Sequence, residues 1–594
     1  MNTKIKDQKK SRQKPDIMAE KETDQTMEQG NGKNHITGAQ VLLDSLIAEG
    51  VDTIFGYPGG AIMPVYDKLM DYEDRLTHIL TRHEQGAAHA AQAYTMAKGK
   101  PGVCFATSGP GATNLVTGIA NAFLDSVPVI FITAQVVSTL IGTDAFQETD
   151  ILGVSMPVTK WSCQVKKASE IAEAVAKAFY IATTGRPGPV LIDITKDAQI
   201  EKCDYNYKKC EYIRSYNPHI PLNKKEVESA AILINHASKP LILAGHGVLI
   251  SKAEKELKEF AEKTGIPVAV TLLGLSSFPS NHRLFAGFLG MHGNYAPNLL
   301  TNEADLIIAI GMRFDDRVTG NLKKYAKQAS IIHIEIDKAE INKNVQVDVE
   351  INNDAKEALK ALIQLVKPNS YEQWIREFRI HDKTEFDRVI KSEIKPDSGA
   401  IKMGEVVRLV SDLTGGNAIV ITDVGQNQMA TARYFKFSEP NSLITSGGMG
   451  TMGFGLPAAI GASIGRPDKT VVAFIGDGGF QMTVQELGTI MQYAVPVKIV
   501  ILNNNFLGMV RQWQDMFFDK RYASTEMINP DFVKIAEAYK IPGARIIERK
   551  DLKEALTKML NIKGPYLLEI EIEKEANVLP MVAPGASVSE IRLV

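Results

Sequence analysis

Two apolar runs in the last third of the chain end in residues suited to holding a cation. Val471 to Ile475 empties into Gly476-Asp477-Gly478, and Val497 to Leu502 empties into Asn503-Asn504. Short β-branched runs separated by a helix-length gap read as neighbouring buried parallel strands. Their carboxyl ends would deliver a carboxylate and an amide oxygen to one crevice, a donor set that suits a hard divalent cation such as Mg²⁺. The glycines let the backbone close on a diphosphate there. Ordinary Gly/Asn turns are the plainer alternative, but they do not require an Asp and an Asn to coincide with both strand ends.

Two further constellations lie upstream. RHEQGAAHAAQAY puts Arg82, His83 and Glu84 after a short apolar run and before an Ala-rich helix. Alone, Glu84 reads equally well as a helix-dipole partner. One βα unit later TSGPGATN, Thr107 to Asn114, supplies a glycine-rich strand-to-helix turn, the place where an open α/β sheet binds ligand. In the middle of the chain, IAIGMRFDDR and IIHIEIDKAEIN are again strand ends followed by polar residues. LAGHGV contains only Gly245 and Gly247 and does not complete a dinucleotide fingerprint.

The elements that would carry these residues alternate from Ile36 onward. Strands are predicted at Val103–Thr107, Pro128–Ala134, Pro189–Ile194, Pro240–Ala244, Leu306–Ile310, Ser330–Ile336, Ala418–Thr422, Val471–Ile475, Val497–Leu502 and Tyr566–Ile572. Amphipathic helices such as Ser169–Thr183 and Ser251–Thr264 lie between them. The alternation predicts an α/β protein of three doubly wound parallel-sheet domains. Lys202–Leu222 and Lys367–Ile401 are less regular and divide the chain. The expected domains are 35–200, 215–365 and 400–575, followed by a segment 576–594 that could fold over a site as a lid. Residues 1–34 are polar, lack a signal-peptide apolar core and read as a disordered tail. The 594 residues carry a formal charge of −2 and no apolar run of transmembrane length, so neither a nucleic-acid groove nor a membrane partner is expected. Four scattered cysteines form no zinc or disulfide pattern, which points to a cytoplasmic protein.

RHEQG, TSGPGATN, IGTDAFQE, GRPGPVLIDI, LGMHG, RFDDRVTG, GMGTMGFGLPAAIG, GDGGFQMT and LNNNFLGMVRQW follow one another in this order. Together they resemble the thiamine-diphosphate-dependent catalytic subunit of acetohydroxyacid synthase (acetolactate synthase), over nearly everything from residue 36 onward. AFQE, RFDDRVTG and GMVRQW are narrower than the rest and favour the flavin-containing biosynthetic synthase. The resemblance implies pyrimidine-binding, central flavin-binding and diphosphate domains. Glu84 would activate the cofactor, with Gln147 and Lys196 as further catalytic residues. Asp477, Asn504 and the carbonyl of Phe506 would hold Mg²⁺. Gly425, Gln426, Gln428, Gly478 and Gly479 would line the diphosphate, and Gly450 and Met452 would grip the aminopyrimidine. A Met between glycines is more often a core filler. Gly60, Phe146, Arg317 and Trp513 would border the substrate channel, although Trp513 could equally anchor an interface. FAD would contact Arg186, His292, Arg313, Glu335 and Asp354.

The resemblance also implies the reaction: decarboxylation of pyruvate and ligation of its two-carbon unit to a second pyruvate or to 2-oxobutanoate, in branched-chain amino-acid synthesis. It implies a homodimer or homotetramer, in which Glu84 of one subunit meets Asp477 of another, and a separate small regulatory subunit. A pyruvate oxidase or a flavin-free catabolic acetolactate synthase is the nearest alternative. The sequence departs from the family pattern at Asn427, where His is usual, at Ala430, where Trp is common, at Val137, where many members have Pro, and at Gly479, where Ser is usual. None of these touches Glu84, Asp477 or Asn504.

Overall fold

Three six-stranded parallel sheets carry the molecule. The structure is a computed structural model that describes residues 35–594, so the tail expected over residues 1–34 lies outside the described residues. The first sheet runs Thr77–Leu80, Thr53–Gly56, Gly102–Ala106, Val129–Gln135, Val190–Thr195, Trp161–Val165 from edge to edge. The third runs Leu443–Ile444, Ile419–Thr422, Val471–Gly476, Lys498–Asn503, Tyr566–Glu571, Gly543–Ile546. Counting strands within each sheet from its N-terminal member, both have the order 2-1-3-4-6-5, whereas the middle sheet has the order 3-2-1-4-5-6. Each order reverses beside its first strand, and such a switch point opens a crevice at the carboxyl edge.

The strands are short and β-branched, and the central ones are buried on both faces, as a helix-covered parallel sheet requires. Where the strand ends differ from expectation, they do so by one or two residues. Eight members of the sheets were not legible: Thr53–Gly56, Thr77–Leu80, Trp161–Val165, Val268–Val270, Phe285–Phe288, Val349–Ile351, Leu443–Ile444 and Gly543–Ile546. They are two to five residues long and lie mostly toward sheet edges, where pairing with a neighbour rather than local pattern makes the strand. The expected helix Ser251–Thr264 begins only at Glu254, because Ser251 closes the preceding helix His246–Ile250 and Lys252 takes φ +54°, which interrupts the helical path.

Two expectations for the connecting segments need correction. Lys202–Leu222 does not begin as a linker: Lys202–Asp204 pairs antiparallel with His35–Thr37. Lys367–Ile401 is not a loose divider either. Its helix Glu372–Glu385 buries Trp374 and Phe378 in the middle domain's core. At its end Glu385 forms a fully buried ion pair with Arg433 of the third domain.

The first and third domains meet along Glu84–Lys98 and Gly455–Gly465. A Cβ on Gly461 would lie 1.9 Å from the Ala90 carbonyl oxygen, so these helices touch backbone to backbone. The Ala-rich and Gly-rich composition of the two segments follows from that approach. The C-terminal segment crosses from the third domain to the middle one. Gln426 Nε2 and Arg511 Nη2 each donate to the Ala576 carbonyl (2.8 Å each), and Val582 N donates to the Met291 carbonyl (2.8 Å).

Candidate functional site

Val471–Gly476 and Lys498–Asn503 are adjacent in the third sheet, so Asp477 and Asn504 emerge side by side. They line a small pocket of about 60 Å³ with Gly425, Gln426, Met452, Gly478, Gly479 and Phe506. Gly425 is at φ +124°, a conformation open to glycine, and it starts the helix Gln426–Tyr434. Burial pushes the Asp477 carboxyl up to about 6, against the amide of Asn529, which donates to its Oδ2 (2.7 Å). The same amide nitrogen reaches Asn503 Oδ1 and Asn505 Oδ1 (3.0 Å each). A buried carboxylate, an amide oxygen and a carbonyl fit a hard divalent cation. Asn427 Oδ1 is buried at this pocket without a hydrogen-bond partner, a polar atom left open toward a bound group. Gly479 is fixed by its neighbour: a Cβ there would lie 2.3 Å from Asp423 Oδ1. That carboxylate accepts the N–H groups of Val424, Gly453 and Gly455, so the glycine at this departure from the family pattern is a packing requirement.

A second cavity, of about 1020 Å³, opens at the middle sheet's switch point and runs into the third domain. Arg186, His292, Arg313, Arg317, Glu335 and Asp354 all line it, and so do Gly425, Gln428, Gly450 and Trp513 at its far end. Residues far apart in sequence thus meet on one wall. His292 is buried, its Nδ1 has no hydrogen-bond partner, and burial pushes the imidazole down to about 4. A long ligand with polar edges fits this lining. Asp354 caps the helix Ala355–Leu365 by accepting from Lys356 N and Glu357 N, which fixes its carboxylate at the cavity edge. Arg186 Nη1 donates to Asp337 and Glu340 (3.1 Å each).

Burial pushes the Glu335 carboxyl up to about 7, and hydrogen bonding from Asp337 N and the nearby Arg186 only partly oppose it. A carboxyl raised in the folded state contributes fully below its unfolded value of about 4.5, and its contribution is lost as pH rises through about 7. Glu335→Gln keeps the acceptor for Asp337 N. In cofactor-free protein it is expected to raise unfolding stability at pH 8 by up to about 3 kcal/mol, and to change little at pH 4. Urea unfolding at the two pH values checks this; equal effects at both would rule it out.

Gly60, Glu84, Gln147, Phe146 and Lys196 line neither cavity. The first three gather around the turn after Gly102–Ala106, at the first sheet's own switch point. Glu84 is the first residue of its helix and is buried, and Asn114 Nδ2 donates to its Oε2 (2.9 Å). Gln147 sits at φ +60° with its Cα 2.9 Å from where a Gly109 Cβ would be. Gly60 is exposed, and Phe146 beside Gln147 is 88% exposed, a large apolar ring left uncovered by the described residues. Lys196 starts the short helix Lys196–Ile200 at the same carboxyl edge. The site residues therefore gather in three places: the small pocket of the third domain, the large cavity, and the switch point of the first sheet.

Sequence reasoning did not single out Asn114 or Asn529. Asn114 was in view as the last residue of TSGPGATN, but nothing local shows that it reaches back to Glu84. Asn529 lies in an irregular stretch with no pattern to mark it.

Comparison with known proteins bears on this arrangement. Residues 36–154 match the family described as thiamine pyrophosphate enzyme, N-terminal TPP binding domain. Residues 227–362 match its central domain and residues 423–570 its C-terminal TPP binding domain. The chain is 46% identical over 557 residues to the acetolactate synthase isozyme 2 large subunit of Escherichia coli K12, covering 94% of this chain and 99% of that one. It is 48% identical over 568 residues to a probable acetolactate synthase large subunit of Methanocaldococcus jannaschii, covering 93% and 95%. To the acetolactate synthase large subunit of Haemophilus influenzae it is 44% identical over 571 residues, covering 94% and 98%.

Proposed function

We propose the residue chemistry of this site from one premise: the chain belongs to the thiamine pyrophosphate enzyme family, among the acetolactate synthase large subunits. Its activity is that of a thiamine-diphosphate-dependent carboligase that decarboxylates pyruvate and joins the two-carbon unit to a second pyruvate, giving 2-acetolactate and carbon dioxide. Thiamine diphosphate supplies the electron sink for that chemistry when bound.

In our reading Asp477, Asn504 and the Phe506 carbonyl hold Mg²⁺, which offsets the charge of the diphosphate. Gly425, Gln426, Gln428, Gly478 and Gly479 would line that diphosphate, and Gly450 with Met452 would hold the aminopyrimidine. Glu84 would serve as the acid–base group toward the aminopyrimidine ring of the cofactor. Its burial and the Asn114 bond fix the carboxyl in place for that role. The large cavity holds FAD against Arg186, His292, Arg313, Glu335 and Asp354. The ligation involves no net redox change, so this flavin has a structural part. Arg317, with Lys196, would counter the carboxylate of the entering 2-oxo acid, while Gly60, Phe146, Gln147 and Trp513 would border the substrate channel. The segment 576–594 bridges the Trp513 helix and the cavity wall, which supports its reading as a cover that keeps water out.

One observation carries the quaternary reading. The Glu84 cluster and the Asp477 cluster lie on separate domains of like topology, and Phe146 stands bare beside the first. A second copy of the chain completes the site, its Asp477 cluster facing Glu84, in a homodimer or a homotetramer. 2-Oxobutanoate serves as an alternative acceptor, and a small regulatory subunit as partner. Among the described residues no helix is long and apolar enough to cross a membrane; we read the protein as cytoplasmic, with no membrane or nucleic-acid partner.

The test is a product assay with pyruvate, thiamine diphosphate, Mg²⁺ and FAD and no added oxidant. Acetolactate, converted to acetoin by acid, is the expected main product. Peroxide would instead indicate a pyruvate oxidase. Full activity in colourless, flavin-free protein would indicate the catabolic type of synthase.

A further inference from the structure

The loop Ser446–Thr451 leads into Met452; from within the third domain Gln428 Nε2 holds its start by donating to the Ser446 carbonyl (2.9 Å). The loop has no helix or strand and includes three glycines, which carry no anchoring side chain. Its remaining side-chain anchors come from the first domain. Asp125 accepts from Gly448 N through Oδ1 (2.7 Å) and from Gly447 N through Oδ2 (3.2 Å). Asn121 Oδ1 accepts from the Ser446 hydroxyl (2.5 Å) and from the Thr451 hydroxyl (3.1 Å). Ser446 Oγ in turn accepts from Thr451 N (2.8 Å), which closes the loop on itself. Behind these, Gln92 joins the two anchors: Asn121 Nδ2 donates to its Oε1 (2.8 Å), and its own Nε2 donates to Asp125 Oδ2 (3.4 Å).

Asn121 and Gln92 are 0% exposed and Asp125 is 1% exposed. Burying a carboxylate and two amides is unfavourable unless their hydrogen bonds are made, and here the loop makes most of them. Burial nevertheless pushes the Asp125 carboxyl up to about 6, so desolvation outweighs its hydrogen bonds. Well-packed apolar residues would serve stability at least as well. Asp125 also lines the large cavity beside Gly447 and Gly448.

We propose that Asn121 and Asp125 are positioning residues that hold the loop Ser446–Thr451 in the shape that presents Gly450 and Met452 to thiamine diphosphate. The proposal rests on the reading above that this loop grips the cofactor. The polar network is a preset mould. Without it the loop samples other shapes, and cofactor binding must select the competent one.

The test is calorimetric titration of thiamine diphosphate into FAD-saturated apoprotein with Mg²⁺, on Asn121→Ala, Ser446→Ala, their double variant and Asp125→Asn. Each single change is expected to raise the dissociation constant by about tenfold. The double variant should also be raised by about tenfold rather than about a hundredfold, because both changes break one network. At saturating thiamine diphosphate the KM for pyruvate should stay within about twofold of the parent. Unchanged affinity with a lowered melting temperature would mean the network only joins domains, and an additive double variant would mean the residues act separately; either overturns the proposal. Ser446→Ala removes one hydroxyl and carries the test if Asn121→Ala does not fold. Met452→Ala separates the two levels. If it weakens the cofactor while the Asn121 and Asp125 variants do not, this proposal fails alone. Wild-type affinity in Met452→Ala removes the reading beneath it.

Discussion

Glu84→Gln is expected to lower turnover by about 10²- to 10⁴-fold, the usual worth of a positioned acid–base group, while thiamine diphosphate still binds. The change is nearly isosteric. The amide oxygen can still accept from Asn114 Nδ2, so the buried pocket at the start of Glu84–Lys98 keeps its hydrogen bond. What disappears is the proton exchange. Steady-state acetolactate formation and a cofactor titration on the same sample check the two halves of the expectation. Turnover close to the parent would remove Glu84 from the mechanism.

Asp477→Ala is expected to abolish activity by a different route. It deletes the one charged ligand of the small pocket and leaves Asn504 and the Phe506 carbonyl to hold a divalent cation. The loss of apparent Mg²⁺ affinity should exceed the roughly 10- to 100-fold that removal of a ligand's hydrogen-bonding partner costs. Asn529→Ala, which removes such a partner of Asp477, should fall within that range. Metal titration followed by cofactor retention separates the two; equal losses would contradict the assignment of Asp477 as the ligand. Mixing chains joins this result to the first. If Glu84 of one subunit faces Asp477 of the next, a heterodimer of Glu84→Gln and Asp477→Ala chains holds one site with both changes and one intact site. Co-expression should then recover about half the activity per heterodimer. No recovery would place both residues of a site in one chain.

Much of the third domain was legible because its chemistry sits where local signals are strongest. Val471 to Ile475 and Val497 to Leu502 are central strands, buried on both faces, so they read as apolar runs, and Asp477 and Asn504 follow them directly. The edge strands Leu443–Ile444 and Gly543–Ile546 were not legible, since a neighbour's ladder defines them. The linker reading of Lys202–Leu222 failed for a related reason: Lys202–Asp204 is a strand only because His35–Thr37, over 160 residues earlier, supplies its partner.

The sequence by itself determined the alternation of strand and helix, the parallel-sheet class and the residue types at the strand ends, because burial on both faces and glycine-rich turns leave local marks. Tertiary structure alone decided which strand ends face one another. It put Arg186, His292 and Glu335 on one cavity wall with Trp513, and it separated Glu84 from Asp477. It also bound the loop after Ile444 to Asn121 and Asp125, more than 300 residues away. Such contacts cross between domains, and no periodicity in a chain records the hydrogen bonds a side chain makes with a segment far along it.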